Sequence, residues 1–485
     1  MTARWRARRW GASSDMAQDT FTLSLAEIAE ATGARVDNMS GAEHLEFHGV
    51  VTDTRKLTRE STPLFIALKG EKFNGEDFAI KAVENGAAGI VVSDTFDEKT
   101  AKKISVPIFY VTDTLAAYQK IAAYWRRRFD MPVIAITGSN GKTTTKDLTA
   151  SVLDAKFSGA VLKTQANFNN EIGLSMTLLN MRAHHRAAVV EIGMRGLGQI
   201  AYLAPLAAPT MGIVTNVGET HIELLGSIEN IARAKAEMVE AIKAGGTVIL
   251  NADDERVAAM SEKAAHGVRV VTFGIEHDAT VRAYDVTLTG DAARFDVSFD
   301  GGERSAFVLP MVGRHNVMNA LAALAAGYVL GLTVDEMKRG LLHAVVTGGR
   351  FERREMNGCT IINDAYNASP ASMMAAFDTL KDTAKGRRIA VLGDMLELGD
   401  IAVRAHRDVG AAAYASGIDV LVTRGAMGEE IARGAMDAGM SRGAVYMCAS
   451  HEAAADVLHQ VMRAGDTILF KGSHGMMMEK IIDLL

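Results

Sequence analysis

The segment Ile136-Thr137-Gly138-Ser139-Asn140-Gly141-Lys142-Thr143-Thr144-Thr145 has the residue types of a phosphate cradle. It follows the apolar run Pro132-Val133-Ile134-Ala135 and leads into a helix-forming stretch, Lys146 to Ala155. A strand, a glycine loop and a helix start turn backbone N–H groups and the positive helix end toward an anion. In such a cradle Lys142 reaches the terminal phosphates and the Thr143 hydroxyl reaches Mg²⁺. The general pattern has two glycines, the second directly before the lysine. Gly141 fills that place, but Ile136 stands where the first glycine belongs. The string is therefore a variant cradle, weighed against the plainer reading of a chance Gly-Lys-Thr turn.

Further candidates lie just past predicted strand ends. Glu191 closes the strand Ala188-Val189-Val190, where a carboxylate can hold Mg²⁺, a cation of oxygen ligands that keeps several waters; a capping role is the alternative. Asn167, Asn169 and Asn170 form a polar cluster after Thr164, suited to binding a substrate or to shaping turns. His221 follows the strand-like Ile213-Val214-Thr215-Asn216-Val217 and a glycine. It reads as a metal ligand, an acid–base group or a structural histidine. Lys235 is sharper. Ser227 to Ala244 reads as a helix capped by Ser227, with Ile228, Ile231, Lys235, Met238, Val239 and Ile242 on one apolar stripe. A lysine there either snorkels outward or stays buried. Beside Mg²⁺ an ammonium is repelled by about 4 kcal/mol per positive charge at roughly 4 Å. A buried neutral amine that takes up CO₂ becomes a carbamate anion and reverses that sign. Later in the chain come Gly349-Arg350 and Ile361-Ile362-Asn363-Asp364-Ala365-Tyr366-Asn367-Ala368-Ser369-Pro370. The second string reads as a strand, a polar loop and a helix capped by Ser369 with Pro370 at its first position. Arg350 and Asp364 are candidates for a nucleotide's phosphate and ribose, against an ordinary capped loop.

The elements that must carry these residues alternate between helix and strand, which predicts an α/β chain. Early on we expect a helix over Ser24 to Thr32, a strand over Leu64 to Leu68, a helix near Phe78 to Gly86, a strand over Gly89 to Val92 and a helix from Leu115 to Phe129. The continuous apolar runs Ala187 to Ile192, Met211 to Val217 and Thr247 to Leu250 predict buried parallel strands. Val281 to Phe299 alternates like exposed antiparallel strands, and Asn316 to Leu330 predicts an alanine-rich buried helix. Arg388 to Leu392, Val420 to Thr423 and Thr467 to Lys471 predict a small doubly wound sheet, whose ligands sit beyond the carboxyl strand ends, at Gly393-Asp394 and Gly472-Ser473.

At 485 residues the chain has room for about three domains of roughly 150 residues. Hydrophobic residues make up 48% and charged residues 23%, the balance of a globular enzyme with sizeable cores. A net charge of −6 gives no nucleic-acid footprint, so an anionic substrate must be held by local cations and helix ends. Cys359 and Cys448 give no disulfide framework and no zinc spacing, and fit a reducing compartment. No apolar run has the length of a membrane span. Arg4, Arg6, Arg8 and Arg9 precede no hydrophobic segment, so the start is not an export signal. We read residues 1–20 as a disordered extension, with Met16 an alternative start.

Taken in order, Thr137 to Thr144, Glu191, Asn216 through His221, Lys235, Gly313-Arg314-His315-Asn316-Val317-Met318-Asn319-Ala320, Gly349-Arg350 and Asp364-Tyr366-Asn367-Pro370 resemble the Mur ligase family. Three strings bring the chain nearest to the branch that joins D-Ala-D-Ala to a UDP-N-acetylmuramoyl-tripeptide. They are Asp53-Thr54-Arg55 with Leu64 to Gly70 and Asn74-Gly75, Asn363 to Pro370, and Leu392-Gly393-Asp394-Met395-Leu396-Glu397-Leu398-Gly399. The Asp-Asn-Pro-Arg string of the branch that adds the third residue is absent. One departure is Lys471-Gly472-Ser473-His474, where arginine is expected in place of His474.

The resemblance implies three α/β domains: a small N-terminal domain over 21–111 that takes the uridine diphosphate, a central P-loop mononucleotide-binding domain over 112–344, and a C-terminal Rossmann-like domain over 345–485 that binds the dipeptide and part of the nucleotide. It implies ATP and Mg²⁺, an acyl-phosphate intermediate, and closure of the last domain over the site. Lys142, His221 and Lys235 are then catalytic. Thr137, Gly138, Ser139, Asn140, Gly141, Lys142, Thr143 and Thr144 cradle the phosphates, and Asn316, Arg350 and Asp364 grip the nucleotide. Thr143 and Glu191 hold one Mg²⁺, while His221 and carbamylated Lys235 hold or orient a second. Thr54, Arg55, Asn74, Gly75, Asn167 and Asn367 contact substrate. The family likeness also implies a cytoplasmic monomer working on small molecules, without nucleic acid or membrane insertion. A P-loop kinase or ATPase using the middle domain alone, a nucleotide-binding scaffold, and a tripeptide-forming or folate–polyglutamate ligase are the alternatives.

Overall fold

The computed structural model describes residues 20–485 except 59, 60, 71, 290 and 347. The extension expected over residues 1–20 therefore lies, but for Thr20, outside the described residues. The chain forms two compact units. One runs through Met131 and includes Glu171–Arg186 and Leu206–Ala208; the other comprises Pro132–Asn170, Ala187–Pro205 and Pro209–Leu485.

In the first unit the strands Arg35–Asp37, Ile108–Val111, Gly89–Ser93, Leu64–Ile66 and Val50–Val51 form one sheet in that spatial order. Its apolar strands are buried, and Phe65, Ile90, Val92 and Ile108 pack with Ala79 and Ala82 of the helix Ala79–Glu84. Ser24 caps the helix Leu25–Thr32 in a reciprocal box with Glu27, which satisfies two otherwise unpaired N–H groups. The helix Thr114–Arg126 packs against Glu171–Leu179, and the Trp125 indole donates to the Met181 carbonyl at 3.0 Å.

The second unit carries two sheets. The larger has the spatial order Ser305–Leu309, Ala292–Phe299, Val281–Thr289, Arg269–Gly274, Thr247–Asn251, Met211–Val214, Val133–Thr137, Ala187–Glu191 and Val161–Lys163. The strands from Val161–Lys163 through Val281–Thr289 pair in parallel, and the last three pair antiparallel. Val281 to Phe299 was expected as exposed strands. It does form an antiparallel hairpin, but Val281, Ala283, Ala293, Phe295 and Val297 point into the main core. The reason is the alternation itself: one face is apolar, and the helix Arg314–Val329 covers it. The chain leaves the strand Val133–Thr137 for one side of the sheet and later returns to the other, so this strand marks a topological switch point.

The second sheet has the order Glu352–Met356, Cys359–Asp364, Thr467–Lys471, Arg388–Gly393, Val420–Arg424 and Val445–Cys448. All pairs are parallel except the first. Both of its faces are covered by apolar clusters, as a buried parallel sheet requires. The helices Ala402–Ala415 and Gly428–Asp437 approach each other through glycines. A Cβ at Gly410 would stand 1.9 Å from the Ile431 carbonyl oxygen, and one at Gly434 would stand 2.1 Å from that of Arg407.

A methyl group at Gly410 must push two backbones apart. Gly410→Ala is expected to cost about 1–3 kcal/mol and to lower the urea midpoint of unfolding. An unchanged midpoint would contradict this close helix contact.

Candidate active site

The cradle forms at the switch point, where the strand Val133–Thr137 ends and the helix Lys142–Phe157 begins. The helix starts four residues earlier than its apolar pattern suggests, at Lys142, with Gly141 as its left-handed N-cap at φ 80°. Gly138 lies two residues after Ile136, the place where the general pattern puts its first glycine. Its φ is 146°, and a Cβ there would lie 1.8 Å from Thr215 Oγ1. Ile136 is instead a fully buried strand residue. A Cβ at Gly141 would lie 2.3 Å from Asn319 Oδ1. Both glycines are thus required by close approach of neighbouring side chains.

The loop is tied to the next strand end. The Ser139 N–H donates to the Asn216 carbonyl at 2.9 Å, the Asn140 N–H to Asn216 Oδ1 at 2.8 Å, and Thr215 Oγ1 to the Asn140 carbonyl at 2.7 Å. Ser139 Oγ and the Gly218 backbone exchange two further bonds of 3.0 and 2.8 Å. Lys142 Nζ donates to the carbonyls of Gly138 and Ser139 at 2.8 and 3.1 Å. Thr143 Oγ1 donates to Glu191 Oε2 at 2.8 Å, and Asn169 Nδ2 donates to Glu191 Oε1 at 2.7 Å. Thr144 is buried on the same helix.

Lys235 does not snorkel. It sits on the helix Ile228–Glu240 at 2% exposure, with Ile231, Met238 and Val239 buried on the same helix. Burial, reinforced by the positive charge of Lys142, holds its amine well below the ordinary lysine range. Lys142 is also lowered, first by burial, against the pull of Glu191 and with a smaller push from Arg350. His221 is lowered by burial, and the charges of Lys142 and Lys235 add to this while Glu397 opposes it. The burial favours the neutral ring, and His221 Nδ1 is hydrogen-bonded to Glu397 Oε2, the carboxylate accepting. Burial alone would raise the Glu397 carboxyl, but His221 and Arg195 hold it below the usual range.

Residues beyond position 345 close on the cradle. Arg350 Nη2 donates to Thr143 Oγ1 at 2.9 Å, and its guanidinium lies 3.9 Å from the centre of the Tyr366 ring. Ser369 Oγ donates to Asn140 Oδ1 at 3.1 Å. Asp364 accepts from Lys471 Nζ at 2.5 Å and from the Phe351 N–H at 3.2 Å. Asn367 gives its carbonyl to the same lysine at 3.0 Å, and Asn167 lies beside the Tyr366 hydroxyl. Asn316 is engaged in its own helix, with Nδ2 on the Val312 carbonyl at 2.8 Å and Oδ1 accepting from Asn319. It also lines a 630 Å³ cavity with Met311, Phe351 and Ile362. The ring of His474 packs against Tyr366 at 5.5 Å.

Thr54, Arg55, Asn74 and Gly75 belong to the first unit. Arg55 pairs with Asp53 at 2.7 Å, and Asn74 caps the short helix Gly75–Phe78. A Cβ at Gly75 would stand 2.5 Å from the Leu68 carbonyl oxygen. Sequence reasoning assigned no role to Glu397, Lys471, Asn216 or Arg195. The rule that ligands gather at carboxyl strand ends points at three of them, since Asn216, Glu397 and Lys471 stand at or just past such ends.

Arg350 meets Thr143, which donates to Glu191; half-buried Lys142 feels the charge of Glu191, and buried Lys235 feels that of Lys142. Three buried polar atoms in these segments, Thr137 Oγ1, Thr220 Oγ1 and Arg350 Nε, have no hydrogen-bond partner. Such a crevice suits a polyanion that brings acceptors with it. Thr143 and Glu191 supply adjacent oxygen donors of the kind a hard cation takes. Among the described residues no three His, Cys, Asp or Glu side chains form a metal-holding group. A cation bound here would complete its shell with phosphate oxygens and water.

Residues 46–126 match the family model described as "Mur ligase family, catalytic domain", residues 136–327 "Mur ligase middle domain", and residues 349–474 "Mur ligase, glutamate ligase domain". The UDP-N-acetylmuramoyl-tripeptide–D-alanyl-D-alanine ligase of Bacillus subtilis (strain 168) is 38% identical over 442 residues, which cover 91% of this chain and 93% of the relative. The crystal structure of MurF from Acinetobacter baumannii superposes with a TM-score of 0.86 at 29% identity, over 96% of this chain and 99% of that one. The MurF ligase of Thermotoga maritima in complex with ADP gives a TM-score of 0.78 at 26% identity, over 90% and 96% of the two chains. With three matching domains in order and a relative similar along nearly its whole length, the chain belongs to the Mur ligase family.

Proposed function

We propose that the crevice at Lys142 is the active site of an ATP-dependent, ADP-forming ligase that joins D-Ala-D-Ala to UDP-N-acetylmuramoyl-tripeptide in peptidoglycan precursor synthesis. The observation that carries this reading is the buried Thr143–Glu191 pair under the cradle, reached at the same hydroxyl by Arg350 from the following domain. A kinase or ATPase confined to the middle domain would have no use for that contact. The substrate pair follows from the relatives, whose likeness runs along the whole length of the chain.

The terminal carboxylate of the tripeptide is a poor acyl donor. Its oxygen attacks the γ-phosphorus of ATP, ADP leaves, and the resulting acyl phosphate is attacked at carbon by the dipeptide amine. The C–N bond forms as inorganic phosphate departs, and the amine loses a proton. Such transfers depend on positioning and on neutralising spread negative charge. The N–H groups of the cradle and Lys142 hold the phosphates, and Arg350 meets the charge that develops on the transferred group. Asn316 and Asp364 grip the nucleoside. Thr143 and Glu191 would hold Mg²⁺, which when bound neutralises phosphate charge and aligns the transfer. His221 offers its Nε2 lone pair as an acid–base group or as a ligand for a second cation.

Lys235 deepens this reading. Its amine is buried, has no hydrogen-bond or ion-pair partner among the described residues, and is biased to the neutral form. A neutral amine reacts with CO₂, and the carbamate places an anion beside Lys142, where an ammonium is repelled. Residues 21–111 take the uridine diphosphate through Thr54, Arg55, Asn74 and Gly75. Residues 112–344 hold the nucleotide, and residues 345–485 bring the dipeptide. Asn167 and Asn367 contact the peptide substrate. No helix among the described residues is long and apolar enough to cross a membrane, and the reading is of a cytoplasmic monomer acting on small molecules.

Phosphate release from ATP and Mg²⁺ with UDP-N-acetylmuramoyl-tripeptide is expected to rise at least tenfold on adding D-Ala-D-Ala, with a product heavier by the dipeptide less water. Release indifferent to the dipeptide would return the chain to the ATPase reading. Lys142→Ala is expected to lower the ligation rate at least about a hundredfold, the cost of losing one preorganised partner of the developing charge. A rate within threefold of the parent would remove the nucleotide assignment. Lys235→Ala is expected to be nearly inactive and partly restored by short carboxylic acids that fill the gap. Ordinary activity without additives would dispose of the carbamate.

A further inference from the structure

Glu397 stands outside the phosphate cradle, yet it is the acceptor for the Nδ1–H of His221. It lies in the segment matched by the C-terminal family domain, whereas His221 lies in the segment matched by the middle domain. Its second oxygen accepts from Arg195 Nη2 at 2.5 Å, so both ends of the carboxylate are held by the middle domain. The backbone joins in. The Glu223 N–H donates to the Glu397 carbonyl at 3.3 Å, and a Cβ at Gly399 would stand 3.2 Å from Glu223 Cα. The carboxylate is carried on a loop just past the carboxyl end of the strand Arg388–Gly393, and its φ is 62°. His221 itself sits at φ 65°, as the N-cap of the short helix Ile222–Leu225. Two non-glycine residues in the left-handed region meet at this contact. Such backbone is retained where the surroundings over-determine it, and it clusters at functional sites.

We propose that Glu397 is a positioning residue: by accepting the Nδ1–H across the domain junction it fixes the ring orientation and tautomer of His221, so that the histidine is competent only when the C-terminal domain is docked. A carboxylate on Nδ1–H leaves the lone pair of a neutral imidazole on Nε2, the nitrogen that serves as base or ligand. Without Glu397 the ring is free to rotate and to carry its proton on either nitrogen. The inference rests on the ligase reading of the site, because it assigns Glu397 no chemistry of its own. It makes docking of the C-terminal domain a condition for chemistry. A domain that holds the acceptor amine would then also complete the group that acts on the acyl phosphate, and the reactive intermediate would form only under cover.

The test uses the full chain and the steady-state ligation rate at saturating ATP, Mg²⁺, UDP-N-acetylmuramoyl-tripeptide and D-Ala-D-Ala, in the parent, Glu397→Ala, Glu397→Gln, His221→Ala and the Glu397→Ala/His221→Ala double variant. Alanine at a position of unchanged positive φ adds no new backbone strain, and the side chain is 31% exposed, so the fold is expected to persist. Glutamine keeps the size but has one accepting oxygen for two donors. In Glu397→Ala we expect kcat to fall at least tenfold with both KM values within twofold of the parent, and in Glu397→Gln an intermediate fall. The double variant is expected to be no slower than His221→Ala alone, because a residue acting only through His221 has nothing further to lose. A kcat in Glu397→Ala within twofold of the parent would overturn the proposal. So would a double variant slowed beyond His221→Ala by the full Glu397→Ala factor, the pattern of an independent or merely structural role. Should Glu397→Ala fail to fold, Glu397→Gln and its double variant with His221→Ala carry the same cycle. A parent chain that ligates nothing would instead count against the ligase reading itself.

Discussion

Burial of basic side chains beside a phosphate cradle is the constraint on which the rest of this structure depends. Lys142 feels the charge of Glu191, Arg350 reaches Thr143, which itself donates to Glu191, and Lys235 lies within electrostatic reach of Lys142. Removing that many cationic groups from water is unfavourable unless something negative is brought among them. A triphosphate with a divalent cation and an acidic substrate meets that need. Burial lowers both lysines below the ordinary range. At Lys235 the same burial favours the neutral amine. Charge balance therefore connects the cradle, the metal ligands and the lysine stripe in one argument.

The parallel sheet explains why these groups meet at all. Residues as far apart in sequence as Thr137, Glu191 and Thr215 are neighbours because their strands end side by side at the switch point. The second sheet repeats the device, so Asp364, Glu397 and Lys471 also stand at or beyond carboxyl strand ends. The two sets face each other through Arg350 on Thr143, Ser369 on Asn140 and Glu397 on His221. Each contact joins a residue of the middle segment to one beyond position 345. A ligase that forms an acyl phosphate needs that arrangement, because water must be kept out between the two chemical steps.

Much of this was legible in the residues before any coordinates. The apolar strand runs, the capped helices at Ser227 and Ser369 and the cradle string lie where local physics dictates, since apolar continuity and cap chemistry are short-range signals. The stripe of Ile231, Lys235 and Met238 placed the lysine on an apolar face but left open whether it snorkels, and the structure buries it. What the sequence left hidden was long-range. That position 138 must be glycine follows from the approach of Thr215, a residue of another strand end. Glu397 belongs to the string Leu392 to Gly399, but nothing local gives it a role, and its partners His221 and Arg195 reveal one only in three dimensions. The hairpin from Val281 was read as exposed because periodicity gives the alternation but not which face a later helix will cover.

The most direct test of the central claim follows an oxygen atom. If the crevice turns the peptide carboxylate into an acyl phosphate, the bridging oxygen that came from the carboxylate leaves with phosphorus. With tripeptide substrate labelled by ¹⁸O in its terminal carboxylate, mass spectrometry of the inorganic phosphate released during ligation is predicted to find one ¹⁸O per phosphate. Unlabelled phosphate accompanying full amide formation would contradict the account, since the acid would then never have been phosphorylated.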